Sequence, residues 1–209
     1  MLVDWVLHLD AHLLEVLRDH GAWVYVLLFA FIFVETGLVV MPFLPGDSLL
    51  FVTGTLAASG GLHLLGVLAV LIAAAVSGDA VNFAVGTWFR KQTEKKRRFR
   101  WPKLEHLRIT NEFFERHGGK TIILARFVPI VRTLAPFVAG VGGMRYRRFA
   151  LYNVTGAVLW VVSVTLAGYE FGNIAWVKQN LTYVLLGIVV ISVLPGAYQW
   201  IKTKHAGAR

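Results

Sequence analysis

The sequence predicts an all-α membrane protein organised as an inverted repeat. Each unit is an amphipathic helix, a re-entrant helical hairpin and a transmembrane helix, and one further transmembrane helix closes the chain. Three observations predict this class. Of 209 residues, 56% are hydrophobic and 16% charged, against roughly a quarter charged in ordinary soluble domains. Lysine and arginine are absent from Gly21 to Phe89 and then crowd into Arg90–Arg108. Ionisable residues stand beside prolines inside two apolar stretches, Glu35 and Asp47 in the first, Arg126 and Arg132 in the second.

Residues 1–20 place Leu2, Val6, Leu9, Leu13 and Leu17 on one helical face, the pattern of a helix lying in the membrane interface. The acidic residues there, Asp4, Asp10, Glu15 and Asp19 against the single Arg18, do not make the basic start of a signal peptide, so the segment is expected to remain. Residues 22–58 are apolar but broken at Met41-Pro42-Phe43-Leu44-Pro45-Gly46-Asp47. Residues 64–89, interrupted only by Asp79, are long enough to cross about 30 Å of hydrocarbon. Residues 90–118 form a basic cytoplasmic segment, with Leu104, Leu107 and Phe114 on a second amphipathic helix and Thr110 as its candidate cap.

Residues 121–144 have basic residues at both ends, Arg90–Lys120 before and Arg145, Arg147 and Arg148 after. Both ends then lie in the cytoplasm, so this segment enters and returns on one side, breaking near Pro129 to Pro136. Residues 149–169 and 181–201 contain no lysine or arginine and each cross once; 202–209 is a cytoplasmic tail. Parity then puts the start of residues 64–89 outside and makes residues 22–58 a re-entrant hairpin as well, the first in chain order. The N-terminus falls outside, in keeping with its acidity, and the C-terminus in the cytoplasm. The alternative makes Ala22–Met41 an ordinary spanning helix, with the acidic N-terminus inside. Short echoes link the halves: Phe51-Val-Thr-Gly54 with Phe137-Val-Ala-Gly140, and Gly86-x-x-Phe89 with Gly168-x-x-Phe171.

Broken helices that meet near the bilayer midplane are where secondary transporters hold substrate, so the charged residues at the breaks are the candidate site. A charge at the centre of a membrane helix costs at least about 2.5 kcal/mol. Glu35, Asp47, Arg126 and Arg132, with Asp79 as a fifth, therefore imply pairing, water or function. One reading makes them ion pairs that only hold the hairpins together, with Asp79 a structural partner of a hairpin end. The other gives Arg126 and Arg132, with Thr133 beside them, to a phosphate, which a guanidinium fork fits bidentately. Glu35, Asp47 and Asp79 are then proton carriers, because a carboxyl out of water takes up a proton more readily. The breaks themselves are assigned to Pro42, Pro45, Gly46, Pro129 and Pro136. Gly37, Gly46, Ser48, Thr133, Ala135 and Gly140 either expose backbone N–H groups to an anion or simply let helices pack.

The absence of cysteine excludes disulfides and thiolate metal sites, and no metal or cofactor is expected. Topology accounts for the net charge of +9, so nucleic acid is not an expected partner. The expected partners are a membrane lipid and protons; a homo-oligomer is left open.

Glu35-Thr-Gly37 followed by Pro42-Phe-Leu-Pro45-Gly46-Asp47 resembles the first hairpin motif of DedA proteins, in the VTT-domain superfamily. Gly78-Asp79-Ala-Val-Asn-Phe83-Ala-Val-Gly86 is similar to their second motif, with Phe83 where tyrosine is usual. Arg126-Phe-Val-Pro129-Ile-Val-Arg132-Thr133-Leu-Ala-Pro136-Phe-Val-Ala-Gly140 resembles the third, and Asn153, Gly156 and Trp160 fit the helix after it. The resemblance covers residues 20–200. It implies a multi-pass protein of the bacterial inner membrane with two opposed re-entrant hairpins, concerned with undecaprenyl phosphate recycling or the movement of other lipids. It also implies functional roles for Glu35, Asp47, Arg126 and Arg132.

Translocation of undecaprenyl phosphate, coupled to protons, is the leading functional expectation. A flippase or scramblase for phosphatidylethanolamine or another phospholipid is the first rival, and a structural or interaction protein docking through its basic stretch is the second. A lipid-phosphate phosphatase is disfavoured, because His8, His12, His20, His63, His106, His117 and His205 all lie away from the hairpin tips.

Overall fold

The computed structural model describes residues 21–38, 46–95 and 119–172, together with positions 174, 176, 177, 183, 184 and 187. The expected amphipathic helices of residues 1–20 and 104–114, the breaking prolines Pro42 and Pro45, and nearly all of the segments 181–201 and 202–209 lie outside the described residues. Among the described residues six helices have defined bounds: α1 (Trp23–Gly37), α2 (Gly46–Ala58), α3 (Leu64–Lys95), α4 (Lys120–Ala125), α5 (Pro129–Val141) and α6 (Tyr146–Phe171). There is no strand among the described residues.

Two lengths of helix are present, and the difference organises the fold. α3 and α6 are long and apolar enough to cross a membrane. α1, α2 and α5 rise only about 20 Å each at 1.5 Å per residue, and α4 about 9 Å, so none of these reaches across on its own. The protein is an all-α membrane protein in which half-length helices lie along two full-length ones.

Close approaches at glycine give the register. Along α3, Gly66 lies beside the ring of Tyr25 and Gly78 beside Phe33, Thr36 and Gly37, so α1 runs parallel to the first half of α3. Farther along, Gly86 faces Phe137, and Gly140 faces Phe83 and Thr87, so α5 runs parallel to the second half. α6 repeats the arrangement, with Gly156 beside Ile123 of α4, and Gly168 and Gly172 beside Phe51 and Thr55 of α2. The two long helices are antiparallel: Asn153 donates to the Val76 carbonyl at 3.0 Å, while Phe149 stacks on Phe83 with ring centroids 4.3 Å apart.

The faint echoes in the sequence are equivalent crossings. A side chain at Gly140 would strike the Phe83 carbonyl and the Thr87 N–H, three residues before and one after Gly86. A side chain at Gly54 would strike the Thr165 carbonyl and the Tyr169 N–H, three before and one after Gly168. Each half-length helix carrying Phe-x-x-Gly thus packs on the long helix of the other repeat. Such backbone proximity is what small residues supply in membrane helices, where lipid offers no competing hydrophobic drive.

The second hairpin breaks at the leading edge of the expected Pro129–Pro136 stretch. α4 ends at Ala125, Val128 is extended at φ −119° and ψ 106°, and Pro129 opens α5. A residue before proline is pushed out of the helical region, and proline suits a first helical turn, where its missing N–H has no partner to lose. Pro136, expected as a break, instead lies within α5 and does not end it.

Around its apolar core the fold exposes many large apolar side chains while burying four charged ones. Leu65, Val81, Val85, Leu151, Leu159 and Leu166 are exposed, while Glu35, Asp79, Arg126 and Arg132 are buried.

Candidate functional site

The half-length helices end where the charges are. The C-terminal end of α1 brings Glu35, the first turn of α2 brings Asp47, α3 brings Asp79 and Asn82, and α4 ends at Arg126. The first turn of α5 brings Arg132, and α6 brings Asn153 and Trp160. All six helices contribute to one buried polar cluster.

Its pairs differ from a simple opposition of two acids and two arginines. Arg132 lies between Glu35 and Asp47: one Nη donates to Glu35 Oε1 and the other to Asp47 Oδ1, the latter at 2.9 Å. Arg126 turns to the third acid instead, one Nη donating to Asp79 Oδ2 and to Asn153 Oδ1, the latter at 2.7 Å. Asp79 is thus a direct partner of the end of the second hairpin. Asn82, one turn along, donates to the carbonyls of Thr36 at 3.2 Å and Thr133 at 2.7 Å, tying the end of α1 to the start of α5. Thr133 is buried, with its carbonyl toward Asn82.

Trp160 joins the two arginines. Its ring centroid is 4.7 Å from the Arg132 guanidinium and 5.7 Å from that of Arg126, and its indole N–H donates to Asp47 Oδ1 at 2.7 Å. A cation held over an indole face gains about 2 kcal/mol when water is excluded. Gly46 makes room for the Glu35 carboxylate, which occupies the place a side chain there would take. Gly37 and Gly140 pack helices instead of presenting N–H groups to the cluster.

Two features distinguish this cluster from a fully satisfied structural lattice. Three carboxylates face two guanidiniums, leaving one negative charge in excess when all are ionised. Among the described residues several buried polar atoms also lack hydrogen-bond partners, including Ser48 Oγ, Arg126 Nη1 and Arg132 Nε. Native proteins satisfy nearly all buried polar groups, so donors left over on two adjacent guanidiniums mark capacity for an acceptor. Asp47 gives the cluster its opening, since its side chain is 18% exposed against 1% for Glu35 and 6% for Asp79.

Asn82 was not singled out from the sequence, and Asn153 and Trp160 entered only through resemblance. The spacing carries a signal nonetheless. Asp79, Asn82, Phe83 and Gly86 fall at i, i+3, i+4 and i+7 on α3, and Asn153, Gly156, Ala157 and Trp160 do so on α6. Polar residues sharing a helical face with glycine, inside an apolar helix, mark an inward face. Phe83 stacks among Tyr146 and Phe149 in an apolar cluster, away from the charged pairs.

The Asp79–Arg126 pair supports a prediction. Breaking a buried pair by removing one partner costs about 3–5 kcal/mol. Asp79→Asn is expected to lower the thermal midpoint in detergent sharply, and Asp79→Asn with Arg126→Gln to recover most of it without recovering activity. A double variant no more stable than the single one would remove the pair from the account.

A family profile described as VTT domain matches residues 44–170. Protein DedA of Escherichia coli K12 is 51% identical over 210 aligned positions, covering 100% of this chain and 96% of the relative. Inner membrane protein YghB of the same strain is 36% identical, covering 91% and 84%. An uncharacterized membrane protein of Mycobacterium leprae is 42% identical, covering 78% and 73%. No solved structure matches.

Proposed function

Because the chain belongs to the VTT-domain family of DedA membrane proteins, we propose that it is a transporter, not an enzyme, that carries undecaprenyl phosphate between leaflets of the bacterial inner membrane, coupled to protons. In this reading the N-terminus lies outside and the C-terminus in the cytoplasm. The observation that carries the proposal is the pair of buried guanidiniums meeting at Trp160, each with a nitrogen that has no hydrogen-bond partner among the described residues.

The chemistry follows from competition for the guanidinium forks. Glu35 and Asp47 occupy Arg132, and Asp79 occupies one edge of Arg126. A phosphate is a stronger bidentate acceptor than a protonated carboxyl and a like-charged rival of an ionised one. Proton uptake by Glu35 or Asp47 frees Arg132 for the phosphate, and proton loss returns the carboxylate and expels it. The excess negative charge makes such a proton the natural companion of the anion. That same excess favours a second reading, a phospholipid with an ammonium group, such as phosphatidylethanolamine, whose positive end would complement a carboxylate.

Purified protein in liposomes tests both, by following undecaprenyl phosphate and phosphatidylethanolamine between leaflets with and without a pH gradient. Gradient-sensitive movement of the polyprenyl phosphate, lost in Arg132→Ala, is the expected result. Movement of the phospholipid alone would replace the substrate, and movement of neither would end the transport reading. Glu35→Gln is expected to flatten the pH dependence of transport, because the amide is neutral at every pH and cannot pass a proton. A pH profile identical to that of the parent would remove Glu35 from the coupling.

A further inference from the structure

Trp160 belongs to no ion pair, yet it touches members of both. It is 1% exposed, its ring lies under Arg126 and Arg132, and its N–H shares Asp47 Oδ1 with Arg132 Nη1. We propose that Trp160 is a positioning residue that couples protonation of Asp47 to delivery of the two arginines, a role that rests on the transport reading above.

The two donors on Oδ1 are unequal. The Arg132 bond is part of an ion pair and loses its charge–charge attraction once the carboxyl is neutral. The indole N–H is a neutral donor and serves a carboxyl oxygen in either state. A proton arriving at Asp47 therefore releases Arg132 while Trp160 still holds Asp47 in register. The ring meanwhile keeps both guanidiniums at one spacing, so that they meet a phosphate together. Among the described residues, the groups that face Asp47 include Arg132 from α5, the indole from α6 and the Glu35 charge from α1, whose own partner is Arg132. Asp47 is also the most exposed of the three acids.

Two substitutions separate the halves of the role. W160F removes the N–H and keeps a ring; W160L removes both. In liposomes containing undecaprenyl phosphate, W160F is expected to lose stimulation by the pH gradient and to shift the pH midpoint of transport, with KM raised no more than about threefold. W160L is expected to raise KM by roughly tenfold or more. A W160F protein with the parent's stimulation and midpoint would overturn the proposal. So would W160F and W160L proteins that lose rate together with unchanged pH profiles, which is the mark of packing alone.

A second measurement does not depend on transport. The ¹⁵N-indole resonance of Trp160, identified by its loss in W160F, is expected to move with pH in the parent and to stay fixed in Asp47→Asn. An indole signal that ignores pH in the parent overturns the coupling directly. A signal that titrates in a protein moving no polyprenyl phosphate upholds the Asp47–Trp160 coupling and overturns only the substrate reading.

Discussion

Arg132→Ala leaves the protein in the membrane and reduces transport by at least about a hundredfold. The magnitude comes from the bonds removed: two charge-assisted hydrogen bonds at about 1.5–3 kcal/mol each, with tenfold in rate or affinity for every 1.4 kcal/mol. Insertion survives because the substitution leaves the long apolar helices α3 and α6 unchanged. Arg132→Lys separates a binding role from mere neutralisation. An ammonium restores the positive charge but has no planar fork to serve Glu35 and Asp47 at once, or two oxygens of a phosphate. The lysine variant is therefore expected to regain stability and to remain at least tenfold slower than the parent. Complementation of a deletion strain, with membrane levels measured in parallel, distinguishes the cases. A fully active lysine variant would reduce Arg132 to a counter-ion.

The charged residues of the cluster were legible in the sequence because hydrocarbon penalises them: Glu35, Asp79, Arg126 and Arg132 stand out against an apolar background, and structure gathers all four with Asp47. Their partners were not legible. Which acid meets which arginine depends on how α4 and α5 lie along α6 and α3, and nothing local to Arg126 selects Asp79 over Glu35 or Asp47. Trp160 enters the sequence reading through resemblance alone, and its role was hidden for a different reason. A tryptophan in an apolar helix reads as lipid-facing or as core, and only its place opposite both hairpin ends gives it two cations and a carboxylate. The break falls at Pro129 and not at Pro136, a distinction hidden in the sequence because the two prolines look alike there. Pro129 occupies a first helical turn, whereas Pro136 is accommodated inside a helix whose neighbours hold it.

The inverted repeat makes a second prediction, on stability, that pairs distant residues. Gly86 meets the Phe137 carbonyl in one crossing as Gly168 meets the Phe51 carbonyl in the other. Backbone cannot yield as a flexible side chain does, so one added methyl must part the helices or distort them, at about 1–3 kcal/mol and sometimes more. Gly86→Ala and Gly168→Ala are expected to lower the thermal midpoint in detergent by similar amounts, and the double variant by their sum, since distant sites act independently. Gly37→Ala is the control. It lies at another helix crossing, but a methyl there meets Gly78 at 3.5 Å, an ordinary contact, and the variant should unfold with the parent. If Gly168→Ala also unfolds with the parent, the short half-length helix is not held by that crossing. If all three variants fall alike, the loss belongs to glycine's place in membrane helices in general. Only the graded result, with Gly86 and Gly168 matched and Gly37 spared, ties stability to the two crossings that the repeat makes equivalent. Those crossings also fix where α2 and α5 begin, and so where Asp47 and Arg132 meet.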